Sequence, residues 1–139
     1  MTAQLLQSHK LSDSSPQARL LIIEDNDINR MFLSDYLSYF RYDVKSLPDA
    51  SDVFTTLDDF QPHLILLDLK LPETDGYLVL KQIKQKSIYS QIPVIIVSAF
   101  AFKTDQERAI ELGASHYFVK PVNLEQLVQT IVEVLATST

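Results

Sequence analysis

The chain of 139 residues has no cysteine, no tryptophan and only two glycines, Gly76 and Gly113. Without cysteine there is no disulfide framework, thiolate zinc site, iron–sulfur cluster or cysteine nucleophile. Average usage of about 7% would place roughly ten glycines in such a chain, so a protein built around a glycine-rich phosphate loop is excluded. Neither a GxGxxG nor a Walker A sequence occurs. The three histidines, His9, His63 and His116, are never four residues apart, which leaves a histidine metal site poorly supported. Basic residues are also short, 12 against 18 acidic ones, for a net charge of −6. Phosphate backbones are bound through Lys and Arg, so neither nucleic acid nor anionic membrane is expected as the main partner. No apolar run approaches the roughly 20 residues that cross a bilayer, and the first residues lack a basic region followed by an apolar block. The expected setting is cytoplasmic.

What is present is a chain 46% hydrophobic, long enough for one domain with a real core. Residues 1–18 are polar and rich in Gln and Ser, and read as a mobile N-terminal extension; 137–139 read as a C-terminal tail. From Arg19 on, short apolar runs at 20–23, 42–47, 63–67, 92–97 and 117–119 have the length and two-sided apolarity of strands in a buried parallel sheet. Segments of helical period lie between them. Leu124, Leu127, Val128, Ile131 and Leu135 share one helix face, and Asn123 with Gln126 reads as its capping box. Thr104 to Glu107 carries the same signal for the preceding helix, with Gly113 at its left-handed end. Asp49, after Pro48, is expected to open the second helix. The first, about 27–40, is densely apolar at Ile28, Met31, Phe32, Leu33, Leu37 and Phe40, and is expected to pack closely on the sheet. Five βα units with right-handed crossovers make an α/β fold, a doubly wound five-stranded parallel sheet with five helices spanning 19–136.

Ligands of such folds bind beyond the carboxyl ends of the strands. Strand one is followed by Glu24, Asp25, Asn26 and Asp27, strand three by Asp68, strand four by Ser98, and strand five by Lys120 and Pro121. Each residue alone reads as ordinary polar surface, except Asp68, which directly follows Leu64-Ile65-Leu66-Leu67 and is expected to be only partly solvated, a costly state for an unpaired carboxylate. Together, three carboxylates at one rim repel one another and call for a cation. Lys120 supplies one charge, and Mg²⁺ suits the rest, because it accepts one or two carboxylates plus waters and a phosphoryl group. A purely structural Lys120–Asp68 salt bridge is the second reading.

These segments resemble the receiver domain of bacterial two-component response regulators, of the stand-alone, chemotaxis-regulator-like kind. The resemblance rests on Leu20-Leu21-Ile22-Ile23-Glu24-Asp25-Asn26, on Leu64 to Pro72 with Asp75-Gly76, on Val97-Ser98-Ala99 and on Tyr117-Phe118-Val119-Lys120-Pro121. It implies the flavodoxin-like strand order 2-1-3-4-5. It also implies that Asp68 takes a phosphoryl group from a phosphohistidine of a sensor histidine kinase or histidine phosphotransfer protein. Asp25, Asp68 and the Lys70 carbonyl would hold Mg²⁺, with Glu24 acting mainly through water. Ser98 and Lys120 would bind phosphoryl oxygens, Tyr117 would switch inward with Ser98, and the bond before Pro121 would be cis. Gly76 is expected to use positive φ and close approach. Such a chemistry needs little from protein beyond an in-line nucleophile, a metal and positive charge.

Output through an unidentified downstream protein is expected on the face of helix four, strand five and helix five, with His116, Tyr117, Gln126, Gln129 and Thr130 upon it. Homodimerisation there is open, as is a role as phosphorelay intermediate or phosphate sink. Phe100 is expected to shield the acyl phosphate from water. A Mg²⁺-dependent aspartyl-phosphate phosphatase is disfavoured, because Lys70 stands where such hydrolases carry a second Asp. A module that works without phosphorylation is disfavoured by the intact set of Glu24, Asp25, Asp68, Ser98 and Lys120.

Overall fold

The computed structural model describes residues 17–137. The expected extension 1–18 and tail 137–139 lie almost wholly outside the described residues. Ala18, assigned to the extension, belongs to the fold: it packs against the core and its carbonyl accepts the Asp43 N–H at 2.9 Å.

Five parallel strands, β1 (Arg19–Ile23), β2 (Asp43–Leu47), β3 (Leu64–Leu67), β4 (Val94–Ser98) and β5 (His116–Val119), pair in the order β2-β1-β3-β4-β5. This is the expected doubly wound, flavodoxin-like topology. The helices are α1 (Asp27–Tyr39), α2 (Val53–Phe60), α3 (Gly76–Gln85), α4 (Lys103–Glu111) and α5 (Leu124–Thr137). Alternation along each strand sorts the core into two layers. Leu20, Ile22, Leu64 and Leu66 face α1 and α5, while Leu21, Ile23, Ile65 and Leu67 face α2, α3 and α4. All eight are buried. Each contributes about 1.5–3 kcal/mol by leaving water, so the two central strands anchor everything attached to their ends.

Four local expectations need correction. Helix α1 does not bury its whole apolar set: Leu37 and Phe40 are buried and Leu33 half-buried, but Ile28, Met31 and Phe32 are exposed at 77%, 62% and 61%. At 100° per residue, 33, 37 and 40 share one face while 28, 31 and 32 fall on the opposite one. Asp49 opens no helix. Its carboxylate accepts the Ser51 N–H and hydroxyl in a turn, and α2 starts later, at Val53. Helix α4 begins at Lys103 after Phe102, with no side-chain cap: it starts one residue earlier than the expected cap, so Thr104 lies inside the first turn, and Asp105 accepts the Tyr77 hydroxyl at 2.9 Å. Gly76 lies outside the positive-φ region, where Gly113 alone of the two glycines is found, at φ 111°. The expected α5 cap is present: Asn123 Oδ1 accepts the Gln126 N–H at 3.1 Å. The segment after Asp68 folds into a small hairpin pairing Lys70–Leu71 with Thr74–Asp75.

Candidate phosphoacceptor site

The sheet continues its backbone ladder past the strand ends, and this places the polar residues. The Asp68 N–H donates to the Ile23 carbonyl (3.0 Å), the Glu24 N–H to Leu47 (3.0 Å) and the Lys120 N–H to Ser98 (2.9 Å). Central strands therefore set the heights of Glu24, Asp68 and Lys120 above one rim. The peptide bond between Lys120 and Pro121 is cis.

Lys120 reaches across the rim and bridges two buried carboxylates, with Nζ 2.5 Å from Glu24 Oε1 and 2.8 Å from Asp68 Oδ2. The other oxygens are occupied as well. Glu24 Oε2 accepts the Asn26 N–H and Asp68 Oδ1 accepts the Lys70 N–H, each at 3.0 Å. Asp25 is exposed, and its carboxylate receives no hydrogen bond from the described residues. One carboxylate oxygen from each of Glu24, Asp25 and Asp68 lies within 4.8 Å of the others. The donors are all hard oxygens, as a Mg²⁺ site requires, and the exposure of Asp25 leaves it open to water.

The electrostatics follow from burial. Burial raises the Glu24 pKa; bonds from Lys120 and the Asn26 N–H oppose this and the Asp68 charge adds to it, for a net upward shift. For Lys120, burial works downward, but the bonds to Asp68 and Glu24 outweigh it and the ammonium is held above its ordinary value. One ammonium serves two buried carboxylates, and a third stands beside them, so the rim keeps a capacity for further positive charge. The structural salt bridge weighed in the sequence is present and includes Glu24 as well as Asp68, but it leaves Asp25 out.

Ser98 is fully buried at the end of β4, and its Oγ accepts the Phe100 N–H at 3.2 Å. Tyr117 is half-buried, and its hydroxyl donates to the Phe100 carbonyl at 2.7 Å, tying β5 to the loop after Ser98. Phe100 packs against the apolar cluster beneath α2, α3 and α4. On the far face His116, Gln126 and Gln129 are exposed and Thr130 is half-buried.

Two features were not anticipated. Arg30 reaches back from α1 to the loop carrying Glu24 and Asp25. An arginine one turn into a helix that follows paired acids is a readable signal, but its target was not. The second is a cleft of about 430 Å³ beside the rim, whose walls include Phe32, Leu33, Val122 and Leu124 together with Glu24 and Lys120. Ile28 and Met31, elsewhere on α1, are exposed as well.

A parallel sheet of this order, with acids after its first and third strands and a lysine after its fifth, defines the receiver class of signalling domains. Residues 20–132 match the response regulator receiver domain family, and the chain belongs to it. It is 33% identical over 112 residues to the polar-differentiation response regulator DivK of Brucella anthropi, covering 81% of this chain and 91% of that one. It is 30% identical over 131 residues to the sensor histidine kinase RcsC of Salmonella typhi, covering 94% of this chain but only 14% of the kinase. A crystal structure of a putative response regulator from Chloroflexus aurantiacus superposes with a TM-score of 0.82 at 25% identity, covering 87% of this chain and 99% of that one. Among the described residues no helix is long and apolar enough to cross a membrane.

Proposed function

We propose that this receiver accepts a phosphoryl group on Asp68 from a phosphohistidine of a sensor histidine kinase or histidine phosphotransfer protein. The observation that carries this is the buried Asp68 carboxylate, held between the Lys120 ammonium and the Lys70 N–H at the centre of an acidic rim. In the transfer an Asp68 oxygen attacks phosphorus as the P–N bond breaks. The nitrogen keeps the bonding pair and leaves as neutral imidazole once protonated, and an acyl phosphate remains. Asp25, Asp68 and the Lys70 carbonyl would hold Mg²⁺, with Glu24 in support; the ion would neutralise charge on the phosphoryl oxygens. Lys120 and the Ser98 hydroxyl are the chain's own groups for those oxygens. Lys120 is preset for this task, since it is already at the carboxylate and loses little freedom on engaging the product.

The apolar surface of α1 supports a macromolecular donor. Large exposed apolar groups mark contact surfaces, and here one of them, Phe32, lines a cleft walled also by Glu24 and Lys120. A protein that brings a phosphohistidine to Asp68 over this edge covers Ile28, Met31 and Phe32. Phosphorylation adds about −1.5 to −2 charges at Asp68 and shifts the balance between existing conformations. Ser98 and Tyr117 carry the change to α4, β5 and α5, where a downstream protein reads it.

Incubation with a small phosphodonor and Mg²⁺, followed by intact mass, tests the reading. One phosphoryl group on the wild type and none on Asp68→Asn is expected. Labelling of Asp68→Asn, or sustained hydrolysis of phosphomonoesters, would overturn it.

A further inference from the structure

The loop that carries Glu24 and Asp25 is closed by a clasp from helix α1. Arg30 Nη1 donates to the Glu24 carbonyl at 2.8 Å and to the Asp25 carbonyl at 3.4 Å, while Nη2 lies 2.6 Å from the Asp27 carboxylate. Two further links brace the loop. The Asn26 N–H donates to Glu24 Oε2 at 3.0 Å, and Asn26 Oδ1 accepts the Asn29 N–H at 2.8 Å. The Arg30 side chain is only 19% exposed, whereas that of Asp27 is 82% exposed, so the carbonyl contacts are the covered part of the clasp. We propose that Arg30 is a positioning residue: its guanidinium fork fixes the backbone of Glu24 and Asp25 so that their carboxylates stay gathered with that of Asp68. This rests on the reading of the three acids as a Mg²⁺ site.

Two effects of opposite sign meet at Arg30, which makes the proposal decidable. Its positive charge stands near the acids and opposes the arrival of a cation. Its hydrogen bonds hold the two residues whose side chains must converge on that cation. If charge dominates, removing the guanidinium tightens Mg²⁺ binding; if positioning dominates, removing it weakens binding. The geometry favours positioning, because Arg30 touches the ligand residues' own carbonyls, whereas its charge is already paired with Asp27. Groups that orient ligands in this way are typically worth about 10–100-fold in metal affinity. Lysine at this position keeps the charge but has no planar fork to span two carbonyls and a carboxylate.

The test is Mg²⁺ titration of the whole chain, followed by calorimetry and backbone amide NMR, at a temperature where every variant is folded. Thermal unfolding without Mg²⁺ is measured alongside. Arg30→Gln is expected to bind about 10-fold more weakly, at the lower end of that range. Arg30→Lys should fall between it and wild type, and Asp27→Asn should lose clearly less than Arg30→Gln because the carbonyl contacts remain. Equal or tighter binding by Arg30→Gln overturns the proposal, as does an equal loss in Asp27→Asn. If the wild type shows no saturable Mg²⁺ binding, the reading of the site falls with it; if the wild type binds and Arg30→Gln does not differ, only the positioning role falls.

Discussion

Replacing Gly76 with alanine tests how tightly the site is built into the backbone. Gly76 opens α3, and its N–H donates to the Leu69 carbonyl at 3.0 Å. A Cβ here would lie 2.4 Å from Leu69 Cα, 2.5 Å from its O and 2.7 Å from its C. Ordinary contact starts near 3.4 Å, so one side must retreat by 3.4 − 2.4 = 1.0 Å. No rotamer change relieves the clash, because the opposing atoms are backbone, and Leu69 is itself buried directly after Asp68. Overpacking of this kind costs about 1–3 kcal/mol, and the high end applies where backbone meets backbone. Alanine returns about 0.5–1 kcal/mol through a less flexible unfolded chain. The net loss is about 2 kcal/mol, which with a urea m-value of about 2 kcal/mol/M lowers the midpoint by about 1 M. Function should suffer separately, since displacing a reacting group by about 1 Å costs up to about 100-fold in rate. Urea unfolding and the rate of phosphorylation by a small phosphodonor read the two effects. A variant with unchanged midpoint and unchanged rate would refute the reasoning, and would mean that the loop from Leu69 to Asp75 yields freely.

Lys120→Met leaves Glu24 and Asp68 buried without their shared cation. Removing one partner of a buried ion pair costs about 3–5 kcal/mol; half that range is expected at this partly open rim, unless Mg²⁺ is added, and thermal unfolding with and without Mg²⁺ measures both. Joint replacement of Ile28 and Phe32 by serine should change stability by less than about 0.5 kcal/mol, because both are exposed. The same variant should slow phosphotransfer from a phosphohistidine protein while leaving labelling by a small phosphodonor intact; parallel kinetics with the two donors decides. His63 gives a pH signature. Its Nδ1 accepts the Arg19 N–H at 2.9 Å, and burial, then the Arg19 charge, hold its pKa below the ordinary value. The folded state therefore binds this proton less readily than the unfolded one, so its contribution is full above about pH 6.5 and is lost as the pH falls through the depressed folded value. Stability of wild type minus His63→Gln, followed from pH 7.5 down to about 5, should decline across that window; a flat difference would contradict it.

The course of the chain was legible because parallel strands are short, apolar runs and their ends carry what the site needs. Glu24, Asp25, Asp68, Ser98 and Lys120 stand at strand ends in the sequence and at one rim in the fold, since the strand order brings β1, β3 and β4 side by side. Local caps were legible only where the helix started at the residue the pattern marked. Asn123 Oδ1 caps α5 as written, whereas α4 starts at Lys103 and takes the expected cap Thr104 into its first turn.

Composition and pattern by themselves determined the class of fold, which polar residues follow the strands and the absence of a glycine loop, because these depend on residue type and on near neighbours along the chain. The tertiary structure alone decided which side of α1 is covered, since its apolar residues occupy opposite faces and only one can meet the sheet. It alone set Lys120 on Glu24 as well as on Asp68, pairs separated by 96 and 52 residues. It also decided why Gly76 must be glycine: the reason is not its φ but the backbone of Leu69 lying where a Cβ would be. Each of these is a contact between distant segments, fixed when the layers close and invisible to any window of neighbouring residues.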